Sequence, residues 1–193
     1  MGRWNIRWSI LLVLWCVTGV KLAAMKVESL DRGWFFNRGY ESQAADKVTV
    51  DLPHTWNAAD AMFGNVNYYR GMSTYSRFIV VPSSENFKRV FLRVKAAQTV
   101  ADVYLDNHFV AQHKGGYTSF TVELTHLIRK GEKHKLDIRV SNAQTMEIAP
   151  ICGDFNIWGG LNRGVELLYT DDACIDPTFY GSSGVFFTQC DVS

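Results

Sequence analysis

The chain has 193 residues, with 20 Lys and Arg against 19 Asp and Glu, for a formal net charge of +1. That length holds one domain with a genuine core, or one domain plus a piece of a second. At 47% hydrophobic and 20% charged residues the composition is globular rather than disordered, and the near-zero charge excludes a protein that grips nucleic acid through its phosphates.

The chain opens on Arg3 and Arg7, then an apolar run from Trp8 to Val20, then the small residues of Leu22-Ala23-Ala24. That order reads as a secretory signal peptide over residues 1–24, the one part of the chain expected to meet a membrane. Its apolar run is 13 residues, short of the roughly 20 that span a bilayer. The expected destination is the periplasm or the exterior. The remainder keeps Cys152, Cys174 and Cys190, an odd number whose spacings match no zinc pattern of paired short gaps; free or buried thiols are expected.

From residue 47 the pattern is one of short strands. Residues 47–52 alternate with Val48, Val50 and Leu52 on one face. Residues 74–81 are aromatic and β-branched and end at Pro82. Residues 89–94 place Val90, Leu92 and Val94 on one face, and residues 100–105 place Val103 and Leu105 opposite Tyr104. Asp106-Asn107 then predicts a tight hairpin turn, with residues 108–113 returning, because both residue types tolerate positive φ. Residues 119–124, 135–140 and 164–169 complete the set. A single turn is expected over 125–129 and no longer helix. About eight short strands with polar turns predict an all-β sandwich of the jelly-roll kind. No glycine-rich phosphate loop is present, which removes nucleotide binding as a leading idea. After Tyr169 the chain turns polar, and residues 184–188 read as a further strand. The expected division is therefore a sandwich over 25–171 and the truncated start of a second domain over 172–193.

Five stretches together carry a resemblance. They are Ser29-Leu30-Asp31-Arg32-Gly33-Trp34-Phe35-Phe36; Val50-Asp51-Leu52-Pro53-His54-Thr55-Trp56; the hairpin Val103-Tyr104-Leu105-Asp106-Asn107-His108 with Gly115-Gly116-Tyr117-Thr118-Ser119-Phe120; the closing run from Asp154 through Trp158, Gly160 and Arg163 to Leu167; and Asp176-Pro177-Thr178-Phe179-Tyr180-Gly181. In this order they resemble the N-terminal sugar-binding domain of glycoside hydrolase family 2, the β-galactosidase and β-glucuronidase family. The resemblance implies a galactose-binding-like jelly roll, with an immunoglobulin-like sandwich beginning near residue 172.

It also implies chemistry. Retaining glycosidases need two carboxyl groups about 5 Å apart. In the family these lie in a later (β/α)8 barrel, which this strand-rich chain does not contain. Its glutamates are therefore expected at the surface or on strand edges, with no catalytic residue among them. By the same resemblance Asp154 contacts sugar hydroxyls, leans the substrate towards a β-galactoside, and helps hold a sodium ion; magnesium is the other ion expected of the complete enzyme. Asn67 (or Asn65) is the candidate for a second sugar contact, and Trp158 either stacks on a sugar ring or fills the sandwich edge. Gly160 and Arg163 are motif residues, the arginine tying the last strand to the next domain. Glycines 115, 116, 159 and 160 are expected to supply positive φ. His54 has no partner at metal-binding spacing. The partners implied are a carbohydrate and the missing domains of the same polypeptide. The alternatives are a stand-alone carbohydrate-binding module or a non-catalytic interaction domain.

Overall fold

The computed structural model describes residues 25–39, 48–60, 68–149, 156–182 and 184–190. The expected signal segment 1–24, Asn65, Asn67, Cys152 and Asp154 lie outside these described residues. Twelve strands are present among them: β1 Lys26–Ser29, β2 Trp34–Arg38, β3 Val48–Val50, β4 His54–Thr55, β5 Met72–Val80, β6 Arg89–Val94, β7 Val100–Leu105, β8 His108–Lys114, β9 Phe120–Glu123, β10 Lys133–Ser141, β11 Gly160–Leu161 and β12 Val165–Thr170. No helix occurs among the described residues.

Two antiparallel sheets enclose the core. One has the order β1-β12-β6-β9 and the other β3-β2-β5-β10-β7-β8; a two-stranded piece, β11-β4, stands apart. The order is non-sequential within both sheets, as a jelly-roll sandwich requires. Alternation decides which side chains turn inward. On β10, Leu136, Ile138 and Val140 are fully buried, and on β7 Ala101, Val103 and Leu105 meet them. Trp34 and Tyr75 are also fully buried and meet edge to face at 6.5 Å. Each such aromatic removes roughly 150–250 Å² from water, a few kcal/mol at about 25 cal/mol per Å².

The Asp106-Asn107 turn forms as the sequence predicts, with φ of 49° and 67°. Asp106 then ties the hairpin to β10. Its Oδ1 accepts from the Lys135 amide at 2.7 Å, and its Oδ2 lies 2.6 Å from His134 Nδ1. Since the Arg129 amide donates to His134 Nε2 at 2.9 Å, the imidazole proton sits on Nδ1, facing Asp106.

Two expectations are corrected here. Residues 184–188 form no strand. A strand is stabilised by its partner's ladder of hydrogen bonds, and an apolar composition alone does not supply one. The chain after β12 instead runs beside the outer surface of the smaller sheet. Arg89 Nη1 reaches Cys174 Sγ at 3.4 Å, Ser119 donates to the Gly181 carbonyl at 3.1 Å, and Arg93 and Thr170 share a cavity with Cys174 and Ile175. Phe91 and Leu168, which turn away from the inter-sheet core, are fully buried on this side. Cys174 and Cys190 are free thiols, as expected.

The second correction concerns the glutamates. Glu166 is not a surface residue but sits on central strand β12 at 5% exposure, held by Arg93 and by Lys95 at 2.8 Å. A carboxylate buried there persists because two cations and their hydrogen bonds offset its lost hydration.

Candidate functional site

The run from Leu52 to Asn57 and the run from Ile157 to Gly164 fold against each other. Residues His54 and Thr55 pair with Leu161 and Gly160. The Gly159 carbonyl accepts from the Thr55 hydroxyl at 2.8 Å and the Trp56 amide at 3.2 Å. This closeness explains the two glycines differently. Gly160 has φ +141°, and a Cβ there would lie 2.3 Å from the His54 carbonyl oxygen. Gly159 does not need positive φ; a Cβ on it would lie 1.9 Å from the Trp56 ring. Gly116 likewise is required by close approach, to the Gln98 side chain at 2.9 Å, while Gly115 has the expected positive φ of 132°. Trp56 is thereby fixed, stacked on Phe36 at 6.1 Å and edge-on to Tyr69 at 6.2 Å.

Beneath this layer lie two buried asparagines that the sequence reading did not single out. Asn57 and Asn142 both have no exposed surface. The Asn142 amide donates to Asn57 Oδ1 at 3.1 Å, to the Tyr69 carbonyl at 3.2 Å and to the Ile157 carbonyl at 2.9 Å. Its oxygen accepts from the Gly71 amide at 2.9 Å. Asn57 accepts from the Gly159 amide at 2.7 Å and donates to Asp60 at 2.6 Å and the Tyr69 carbonyl at 2.9 Å. A side chain with a donor and an acceptor end is what such a junction needs, because it must satisfy carbonyls and amides of separate loops in the dry interior. The signal available in the sequence was position alone: Asn57 follows the Leu-Pro-His-Thr-Trp step directly, and Asn142 follows the last residue of β10.

On the other side of the Trp158–Arg163 segment is an open cavity of about 500 Å³, lined in part by His54, Gln98, Tyr117, Trp158, Asn162 and Arg163. Trp158 does not fill the sandwich edge; it is 44% exposed and faces this cavity. Arg163 is exposed on its rim and forms no hydrogen bond or ion pair among the described residues. Burial holds the His54 imidazole below its ordinary pKa, so it is neutral at pH 7. The Tyr75 hydroxyl lies 2.7 Å from His54 Nδ1.

The structure thus brings Trp158, Gly160 and Arg163 together around one loop. Asn67 and Asp154 lie outside the described residues. Tyr69 and Ile157 are both held by the Asn142 amide. Six of the seven glutamates are described, and each is engaged: Glu28 with the Tyr169 hydroxyl, Glu85 with Lys26, Glu123 with Arg89, Glu132 with Arg129, Glu147 with Lys114, and Glu166 as above. Among the described residues there is no cluster of three or more His, Cys, Asp or Glu that would hold a metal.

Residues 27–171 match the glycosyl hydrolases family 2 sugar binding domain, and the chain belongs to that family. It is 40% identical over 160 residues to a β-glucuronidase of Bacteroides fragilis, covering 83% of this chain and 23% of that protein. It is 29% identical over 134 residues to a β-galactosidase of Thermoanaerobacter pseudethanolicus, covering 68% of this chain and 18% of the relative. Among solved structures, an FMN-binding β-glucuronidase from Facaelibacterium prausnitzii L2-6 superposes with a TM-score of 0.74 at 38% identity, covering 82% of this chain and 24% of that one. The chain therefore spans about a quarter or less of the length of these relatives.

Proposed function

We propose that this chain is the N-terminal sugar-binding domain of an exported retaining β-glycosidase, and that it shapes the rim of an active site whose catalytic carboxylates lie in another domain. The observation that carries the reading is the Asn142 amide, which holds the Tyr69 and Ile157 carbonyls within 3.2 Å of one nitrogen. Tyr69 and Ile157, which flank the two segments that resemble the family's sugar-contacting loops, are thereby held by one amide. Asp154, Asn67 and Trp158 are assigned to the sugar by the family resemblance. A carboxylate suits the role because it accepts two hydroxyl hydrogen bonds. The relatives of higher identity are β-glucuronidases, which supports a β-glucuronide as substrate ahead of the β-galactoside that Asp154 suggests by resemblance. Residues 172–193 are assigned to the approach to a second domain. Among the described residues no cluster of three or more His, Cys, Asp or Glu would hold a sodium or magnesium ion, and no step is routed through one.

The test is a chimera in which this chain replaces the matching part of the Bacteroides fragilis relative, assayed on aryl β-glucuronide and aryl β-galactoside. Hydrolysis by the chimera and none by the chain alone is expected. Asp154→Asn should lower kcat/KM about ten- to a hundredfold, because a hydrogen bond to a charged acceptor contributes roughly 1.5–3 kcal/mol. Unchanged kcat/KM in a destabilised chimera would make Asp154 a structural loop residue.

A further inference from the structure

We propose that His134 is a pH switch built into one end of the sandwich: on protonation its Nε2 exchanges the amide of Arg129 for the carbonyl of the same residue, and so re-aims one peptide of the segment 124–132.

The imidazole stands near the start of β10 and is 5% exposed, so its two nitrogens take protein partners. Nδ1 lies 2.6 Å from Asp106 Oδ2, and Nε2 accepts from the Arg129 amide at 2.9 Å. The second bond exists only while Nε2 keeps a lone pair, which is the neutral ring. Both backbone groups of Arg129 are within reach of that one atom, because the Arg129 carbonyl oxygen lies 3.2 Å from it. A proton that arrives from solvent at Nε2 makes the ring a donor at both nitrogens. The ring then opposes the Arg129 N–H and suits the Arg129 C=O. That carbonyl already accepts from the Glu132 amide at 3.1 Å and has a second lone pair for the ring. Both ring N–H groups are satisfied in the protonated state, and the Arg129 amide is the group that gives up its partner.

The rest of the segment is anchored, which confines the change to one peptide. The Ile128 amide donates to the Leu124 carbonyl at 3.0 Å and the Gly131 amide to the Val81 carbonyl at 2.7 Å. Lys130 Nζ donates to the Glu85 and Phe87 carbonyls at 2.7 and 2.6 Å. Two states that differ in one hydrogen-bond exchange between fixed anchors are what a local switch needs.

The charges around the ring come from every element packed against it. The β7–β8 turn supplies Asp106 and β8 supplies His108; His126, Arg129 and Glu132 come from the segment itself, and Lys133 and Lys135 from β10. Three of the cations are engaged elsewhere: Lys135 with Asp137 at 2.7 Å, Arg129 with Glu132 at 3.7 Å, and Lys133 over the Phe78 ring at 4.1 Å. Burial raises the Asp106 carboxyl, but the bonds from His134 and the Lys135 amide outweigh it and hold the group below the usual carboxylate range. Asp106 is therefore ionised when the ring takes its proton, and the imidazolium forms in contact with a carboxylate. A cavity of about 450 Å³, lined in part by His108, His126 and Leu127, opens beside the ring and gives the proton a way in.

The experiment is a nuclear magnetic resonance titration of the intact chain from pH 8 to pH 5, the interval in which imidazoles change charge. The Arg129 amide and the His134 ring nitrogens should shift in one shared transition. Over the same interval the exchange protection factor of the Arg129 amide should fall at least tenfold, while those of Ile128 and Gly131 stay within twofold. His134→Gln supplies an acceptor for the Arg129 amide and a donor for Asp106 without a titrating ring; it should abolish the transition. His108→Gln and His126→Gln should leave it in place. An Arg129 amide that stays protected at pH 5, or a transition that survives His134→Gln, would overturn the proposal. So would joint loss of protection at Ile128, Arg129 and Gly131, which is opening of the whole segment rather than a change of partner. If His134→Gln does not fold, the comparison of Arg129 with Gly131 in the wild type and the two other histidine variants still decide.

Discussion

Asn57 and Asn142, 85 residues apart in sequence and both without exposed surface, are joined by a 3.1 Å hydrogen bond between their side chains. That bond links the end of β10 to the segment after β4, and through shared partners it reaches the loops before β5 and before β11.

Replacing Asn142 with Leu should therefore cost far more than its volume suggests. The change orphans the Ile157 carbonyl and the Gly71 amide, which have no other hydrogen-bond partner among the described residues. Each unsatisfied buried group costs roughly 1–3 kcal/mol, so a loss of about 2–4 kcal/mol is expected in urea denaturation. A loss under about 0.5 kcal/mol would mean that water replaces the amide without penalty.

Gly160 and Gly33 separate close approach from backbone strain. Both have positive φ, +141° and +73°, but a Cβ at Gly33 meets nothing within 4 Å. Gly33→Ala should cost about 1–2 kcal/mol, the strain alone. Gly160→Ala adds a collision with the His54 carbonyl and should cost roughly 3–5 kcal/mol. Equal losses would show that the β4–β11 pair can spread without consequence. Both values come from the same thermal or urea melts.

Acid should weaken the domain in two steps. Burial depresses the His54 and His113 imidazoles, so below about pH 6.5 the unfolded chain takes up protons that the folded chain refuses, and stability falls. Glu123 is pulled down to about 2, chiefly by its two hydrogen bonds from Arg89 at 3.0 and 2.8 Å. Its contribution is complete above about pH 4.5 and is lost as the pH falls towards 2. Glu123→Gln should remove about 1 kcal/mol at pH 7 and flatten the lower step. A variant with the wild-type profile between pH 4.5 and 2 would assign that step to other carboxylates.

Truncation after Thr170 should destabilise the sandwich. It removes the Cys174 contact to Arg89 and the Gly181 contact to Ser119, and opens the side on which Phe91 and Leu168 are buried. The truncated chain is expected to melt lower and to associate more, because an uncovered apolar sheet face recruits other chains. A monomeric truncated form with the Tm of the intact chain would show that the segment rests on the sheet without stabilising it.

The strands were legible in the sequence because a half-buried strand writes its burial as a period of two. Residues 89–94 and 100–105 match β6 and β7 at both ends, and Asp106-Asn107 marks its turn by chemistry local to two residues. The family resemblance also located the Trp158–Arg163 loop. What the sequence could not carry were properties created by approach between distant segments. Gly159 is required only because the Trp56 ring arrives beside it. Asn57 and Asn142 look like two ordinary polar residues until folding removes water from both. The apolar run at 184–188 carries a strand's composition, yet a strand exists only when another edge bonds to it. The cavity lined by Gln98, Trp158 and Arg163 is likewise a tertiary product, since segments far apart in sequence supply its walls.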